Sequence, residues 1–428
     1  GRYQKVEKNS TYGHFIMKND SSENHTFEDT CRFIIKLGIS VHGYGPNAIR
    51  LESYLHRLTE ALGYHGVFKS TPRELYFAFS KDGAVMQHTH LARLSGTGLD
   101  LAKLSEAGKL VDDVVAGHLT IEQALSRLDD IESTPHPWGT VATGISYAFV
   151  GAGFAVHLSG GWWDILLSTL FSFAVYGSVL LTARFGARAN DWLPLSSAFM
   201  AGALATVTKI FLPELNIVLV TLAAILILIP GYSISVGIIE LISAHVLSGI
   251  ENLMNGLVYL VKQFAGAWLG VGLVKLCYPV PAMAAGSPVS SGLLWVTMPL
   301  MIAGLCIVFQ TGPKDFIWAC LSCLIAYGGV LFGSAVTGAN LGNLTGTIAT
   351  VVFANLWAAQ TGRPTSTVLL PAIVLLVSGS IGFRGLAAMA SGQTSTGEHQ
   401  FVQMFLVALT IGAGLLVGNT IVRPKITL

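Results

Sequence analysis

Residues 227–255 read ILIPGYSISVGIIELISAHVLSGIENLMN, an apolar run interrupted by Pro230-Gly231. The stretch returns 148 positions later, as LLVSGSIGFRGLAAMASGQTSTGEHQFVQ over 375–403. Six glycines lie between Gly231 and Gly270, and five of them fall on glycine at that offset: Gly231/Gly379, Gly237/Gly385, Gly249/Gly397, Gly266/Gly414 and Gly270/Gly418. Chance gives roughly one such match, so the pattern reads as an internal repeat. A Gly- or Pro-interrupted apolar segment in each half of a membrane chain points to a transporter's solute site, because unwound backbone offers free N–H and C=O groups.

The composition agrees with a membrane location. Of 428 residues, 52% are hydrophobic and 11% charged, against roughly 25% charged in an ordinary soluble domain. Charge crowds into residues 1–135 and is sparse beyond, which predicts a soluble head followed by a bundle of spans. A net charge of +1 without a basic block argues against a nucleic-acid surface. The polar start GRYQKVEKNS has no signal-peptide pattern, so residues 1–25 read as a disordered or tag-derived N-terminus and the head as cytoplasmic. Helix-like and strand-like patterns alternate over residues 26–135, predicting a small α+β domain.

Beyond Trp138 ten apolar segments follow, near 141–158, 165–182, 193–212, 215–229, 253–277, 293–309, 316–332, 344–359, 365–381 and 401–422. The earlier segments repeat too, at an offset of 151: Gly153/Gly304, Gly161/Gly312, Asp164/Asp315, Tyr176/Tyr327, Gly177/Gly328 and Val179/Val330. The expected fold is therefore a polytopic α-helical membrane protein of about ten spans. It has a first membrane repeat over 138–280 and a second over 290–423. Five spans per copy is an odd number, so the second copy inserts upside down, a 5+5 inverted repeat. The basic residues Arg184, Arg188, Lys314, Arg363, Arg423 and Lys425 fall on the inner side of this topology, against Lys209, Lys275 and Arg384 elsewhere. That bias puts both termini in the cytoplasm.

Inverted halves would bring Ile229–Gly237 and Val377–Gly385 together near the midplane, with Gly231 and Gly379 within about 10 Å, one helix-packing distance. Gly231, Ser233, Ser235, Ser378, Gly379 and Ser380 would line the meeting point. Asn255 and Gln403, matched at the repeat offset, would stand behind them as amides that both donate and accept. Ionisable groups in spans are costly and so are functional candidates. Glu240 and Glu251 flank the inner end of the first break as coupling carboxylates. Arg384 could attract a carboxylate or anchor its segment, and Lys262 marks either a pathway or an interface. Asp164 and Asp315, at span edges, read as helix caps. In the head, Glu52 with His56 and His88 with His90 have spacings that could hold a metal, but no third ligand is fixed. Cys320 and Cys323 read as packing. No catalytic motif is present, so neither an enzyme, a metal site nor a cofactor is expected.

HGYGPNAIRLESYLHRLTEALGYHGVF with STPRELYFAFS, GLDLAKLSEAGKLVDDVVAGHLTIEQALSRLDDIE, and LIPGYSISVGIIELISAHVLSGI together resemble the threonine/serine exporter family. The similarity runs from about residue 27 onward. It implies a cytosolic N-terminal domain, ten membrane helices in two related halves, and export of small amino acids driven by the proton-motive force across the inner membrane. Two-subunit relatives are linked to dicarboxylate export. The second break departs from the first, with Ser378-Gly379 where Pro230-Gly231 stands.

The expected function is thus proton-coupled secondary export of threonine or serine, with substrate, protons and membrane lipid as partners, no nucleic acid, and a homo-oligomer as one arrangement. A dicarboxylate exporter, a channel, and a membrane sensor or enzyme whose head does the chemistry are the rivals.

Overall fold

The structure is a computed structural model that describes residues 27–81, 87–94, 98–282, 287–338, 341–376 and 379–424. The chain opens with helices α1 (Phe27–His42) and α2 (Ala48–Ala61), then strands β1 (His65–Ser70), β2 (Glu74–Ser80) and β3 (His88–Arg93), then α3 (Leu101–Val115) and α4 (Ile121–Ser133). Local chemistry sets the boundaries. Asn47 accepts from Arg50 N at the start of α2, Asp100 from Lys103 N at the start of α3, and Thr120 with Gln123 forms a capping box at α4, each satisfying otherwise orphaned N–H groups. The strands form an antiparallel sheet in the order β1-β2-β3, in which Val67 faces Ala78 and Tyr76 faces Leu91. Strand β1 alternates exposed and buried positions. Phe33, Leu37, Leu55, Phe77, Phe79, Leu104 and Leu128 fill the core between sheet and helices.

From Gly139 the chain is helical: α5 (Gly139–His157), α6 (Trp162–Phe185), α7 (Ala187–Phe211), α8 (Ile217–Ile225), α9 (Gly231–Ile242), α10 (Val246–Cys277), α11 (Leu294–Val308), α12 (Phe316–Thr337), α13 (Gly342–Thr361), α14 (Ser366–Leu376), α15 (Gly379–Ala390) and α16 (Thr394–Ile421). Each of the ten expected segments overlaps helix among the described residues, but fewer than ten spans result. Among the described residues eight helices are long and apolar enough to cross a membrane, or nine if the pair α8 and α9 counts as one span. Helix α13 is absent from that set although it is 20 residues long; its asparagines and threonines make it less apolar, and Thr347, Thr350 and Asn355 are buried in the bundle.

The first break is visible. After Ile225 the chain tightens into a 3₁₀ turn over Leu226–Leu228, Ile229 is extended, and α9 starts at Gly231, bent by 59° from α8. Pro230 has no N–H to continue the ladder, which explains the stop. The second break expected from the sequence, at Val377 and Ser378, lies outside the described residues, with α14 and α15 described on either side of it.

The repeat-matched glycines occupy matched contacts. A Cβ on Gly266 or Gly270 would overlap the α7 backbone at Leu195 and Phe199, and one on Gly414 or Gly418 would lie 2.6 or 2.7 Å from Thr347 or Val351 of α13. Gly237 and Gly249 let α9 and α10 touch backbone to backbone, as Gly385 and Gly397 do for α15 and α16. The sixth glycine, Gly256, has Met404 at its matched position, and the partners are exchanged: Ile234 packs on Gly256, whereas Met404 packs on Gly382, the match of Ile234. Gly153 of α5 faces Met301 of α11, while Gly304 of α11 faces Ser146 of α5.

The head docks on one end of the bundle. Leu101 N and Ala102 N donate to the carbonyls of Phe309 and Gln310, at 3.1 and 2.9 Å. Ser105 donates to Asp315, which also pairs with Arg363. Trp138 Nε1 donates to Thr311 O at 2.7 Å.

Candidate functional site

The first break meets the start of the described part of α15. A Cβ on Gly379 would stand 2.9 Å from the Cα of Gly231 and 3.0 Å from its N, so these backbones are in van der Waals contact, well inside the expected separation. A cavity of about 290 Å³ opens beside them. Its walls come from both halves: Val150, Phe154 and His157 of α5, Gly231 and Tyr232 of α9, Met298 and Met301 of α11, Tyr327 of α12, Asn343 of α13, and Gly379, Ser380 and Arg384 of α15. Most of the lining is apolar, with a few polar groups spaced around it, and the volume sits at the low end of the roughly 300–1,000 Å³ usual for small-molecule pockets.

Arg384 is the single Asp, Glu, Lys or Arg among the described lining residues. Its Nε is buried and makes no hydrogen bond to a described residue. A guanidinium is always charged and presents a planar fork suited to a carboxylate.

Toward the head lies a second cavity of about 190 Å³. Gly45, Asn47 and Ala48 wall it from the head, Ser233 and Glu240 from α9, and Ser248 and Asn252 from α10. Glu240 is fully buried. Its Oε1 accepts from Ala48 N at 3.1 Å, and its Oε2 from Ser248 Oγ at 2.7 Å and Asn252 Nδ2 at 2.8 Å. The first of these bonds caps the N-terminus of α2 from across the head–bundle junction.

The expected site residues therefore separate. Gly231, Gly379, Ser380 and Arg384 line the central cavity, and Ser233 and Glu240 the junction cavity. Ser378 lies outside the described residues. Ser235 is fully buried in α9, and its hydroxyl has no partner among the described residues. Asn255 is exposed on α10, and Glu251 and Gln403 are half-buried; none of the four lines either cavity. Lys262 is exposed, and its Nζ lies 3.4 Å from the carbonyl of Asp191 of α7.

Asp164 caps as expected, accepting from Gly161 N at 2.9 Å and Asn216 N at 2.8 Å, whereas Asp315 serves Arg363 and Ser105 instead. Glu52 accepts from Ser70 N and pairs with His245 at 3.3 Å, while His56 pairs with Glu60, also at 3.3 Å. Those head residues are thus already committed to other partners. Cys320 Sγ lies 3.8 Å from Cys306 Sγ inside the bundle.

Sequence reasoning missed Tyr232, His157 and Asn343. Tyr327 carried a signal, since it recurs from Tyr176 at the repeat offset. His157 and Asn343 sit singly near helix ends, where nothing in the sequence marks them as facing a cavity.

These features define a multi-pass helical membrane protein with a cavity of solute size where the first break meets α15. The chain belongs to the threonine/serine exporter family: residues 32–274 match one model of that description, and residues 295–421 match a second, described as "Threonine/Serine exporter, ThrE". A threonine/serine exporter of Corynebacterium glutamicum is 23% identical over 76% of this chain and 68% of its own. A Schizosaccharomyces pombe protein, C7D4.12c, is 22% identical over 83% of this chain and 48% of its own. Pheromone-regulated membrane protein 10 of Yarrowia lipolytica is 25% identical over 57% of this chain and 20% of its own. The chain thus spans less than half the length of these two fungal relatives. No solved structure matches it.

Proposed function

We propose that this chain is a proton-coupled secondary exporter of threonine and serine in the cell membrane. It works by alternating access between two halves, 138–280 and 290–423, arranged as a 5+5 inverted repeat. Residues 26–135 form a cytosolic domain, and both termini are cytoplasmic. Support for the repeat comes from the paired glycine contacts and from the Gly231–Gly379 meeting between the halves.

The observation that carries the reading is Arg384, an arginine whose Nε has no partner among the described residues, on the wall of a small, mostly apolar cavity. It receives the substrate carboxylate. Tyr232, Tyr327, Asn343 and Ser380 offer hydroxyl and amide groups for the ammonium and the side-chain hydroxyl. Coupling is assigned to the carboxylates of Glu240 and Glu251.

The test is counterflow of labelled threonine and serine in proteoliposomes containing the full chain. A hydrogen bond to a charged group contributes about 1.5–3 kcal/mol. Arg384→Gln should therefore raise the half-saturating threonine concentration by roughly 10- to 100-fold, with Arg384→Lys in between. Unchanged half-saturation in both variants would remove Arg384 from the site. For the proton, Glu251→Gln should weaken pH-driven export more than exchange, and equal loss of both counts against coupling there.

A further inference from the structure

The two cavities adjoin. Ile229 and Tyr232 line both of them, one from the extended residue before the break and the other from the first turn of α9. Tyr232 also bridges to the head, its hydroxyl donating to Gly45 O at 3.2 Å. A solute leaving the central cavity toward the head thus meets the Tyr232 ring first and the junction cavity next.

The charges on this route have opposite sign. Glu240 is the single Asp, Glu, Lys or Arg among the described residues lining the junction cavity, as Arg384 is in the central one. Glu240 forms no ion pair within the described residues, and its three hydrogen-bond donors are a backbone N–H, a hydroxyl and an amide. Such donors stabilise a carboxylate without cancelling its charge, and the N-terminus of α2 contributes only a partial positive charge. Arg50, the nearby cation of α2, is directed to Ser366 at 3.4 Å. Because Glu240 is excluded from water, its field in the cavity is weakly screened. The remaining wall sets Asn47, Ser70, Thr71, Ser233, Ser248 and Asn252 among His42, Leu99, Val236 and prolines.

We propose that the junction cavity is a second binding station on the transport route, built jointly by the head and α9. There Glu240 receives the ammonium end of a zwitterion, and Tyr232 is the gate to the central cavity. The inference rests on the exporter reading above and adds to it a part for the head, which is a wall of the route. A zwitterion fits both stations in turn, the ammonium at Glu240 and the carboxylate at Arg384. A dicarboxylate meets an unpaired anion at the junction and is turned away there.

The experiment uses the full chain in proteoliposomes with its orientation fixed by protease access to the head, and measures threonine counterflow from each side. The probes are threonine methyl ester, which keeps the ammonium and lacks the carboxylate, and succinate. Wild-type protein should be inhibited by the ester from the head side and not by succinate. Glu240→Gln keeps an oxygen for Ala48 N and loses the charge. It should raise half-saturation for threonine about tenfold from the head side alone and abolish inhibition by the ester. Ser233→Val, which leaves the Glu240 bonds intact, should shift the same side in the same direction and decides the matter if Glu240→Gln does not fold. Equal shifts from both sides, or none from the head side, overturn the station while leaving the exporter reading in place. Absence of threonine counterflow by wild-type protein overturns the exporter reading and the station with it.

Discussion

Gly379→Ala tests the contact between the first break and α15 directly. The new Cβ would lie 2.5 Å from Ile229 Cγ2, 2.9 Å from Gly231 Cα and 3.0 Å from Gly231 N. Carbon atoms settle at about 3.5–4.0 Å, so the two segments must part by roughly 0.5 Å or more. The obstacle is backbone on one side and a β-branched side chain on the other, neither of which can swing away as a long side chain would. Overpacking of this kind costs about 1–3 kcal/mol. Gly177 and Gly328 are the internal standard: they match at the 151 offset, sit inside α6 and α12, and a Cβ on either meets nothing within 4 Å. Alanine there should be neutral or stabilise by up to about 1 kcal/mol. The assay is the thermal unfolding midpoint of detergent-purified full chain, together with threonine counterflow. Gly379→Ala should melt lower and transport more slowly, while Gly177→Ala and Gly328→Ala melt at or above the parent. A Gly379→Ala variant with the parent's midpoint and counterflow would refute the contact and the cavity wall built on it.

Three further outcomes follow from other contacts. The exchange of partners between Ile234/Gly256 and Gly382/Met404 means that Gly256→Ala should destabilise, and Ile234→Ala added to it should recover part of the loss. Melting of the two single variants and the double variant gives the coupling, and strict additivity would dismiss the contact. Asp315 is buried beside Arg363 and Ser105, so Asp315→Asn should loosen the head's attachment. Its cost should fall below the about 3–5 kcal/mol of a fully buried broken pair because Arg363 reaches water, and hydrogen exchange in α3 should rise more than in α5. Burial pushes the His42 imidazole below its ordinary pKa of 6.5, against the opposing effect of its bond to Thr71 O. The folded head therefore disfavours a proton that the unfolded chain takes up. Stability is full above about 6.5 and is lost as pH falls from there toward the folded value, by up to about 1.4 kcal/mol per pH unit. Full-chain melting at pH 7.5 and 5.5 should show the loss, and His42→Gln should lessen it.

What the sequence could and could not say divides along physical lines. Glycine spacing was readable because close helix approach tolerates nothing larger: a Cβ at Gly237, Gly249, Gly385 or Gly397 would overlap backbone, so the residue type records the contact. The helices were readable for a similar reason, since backbone in lipid must satisfy its own hydrogen bonds. Side-chain direction leaves no such record. Asn255 and Gln403 match at the repeat offset as well as the glycines do, yet Asn255 faces outward and neither reaches a cavity. An amide is tolerated on a helix face, a cavity wall or a helix contact alike, and one rotation of about 100° per residue separates these positions. Glu240 shows the same limit from the other side. Its place at the inner end of a broken segment marked it as important, but its donors come from Ala48, 192 positions earlier, and from Ser248 and Asn252 on the next helix. Nothing local in the sequence tells a carboxylate that caps a distant helix from one left free to take a proton. The docking of the head therefore had to be seen before Glu240 could be read as part of a cavity wall.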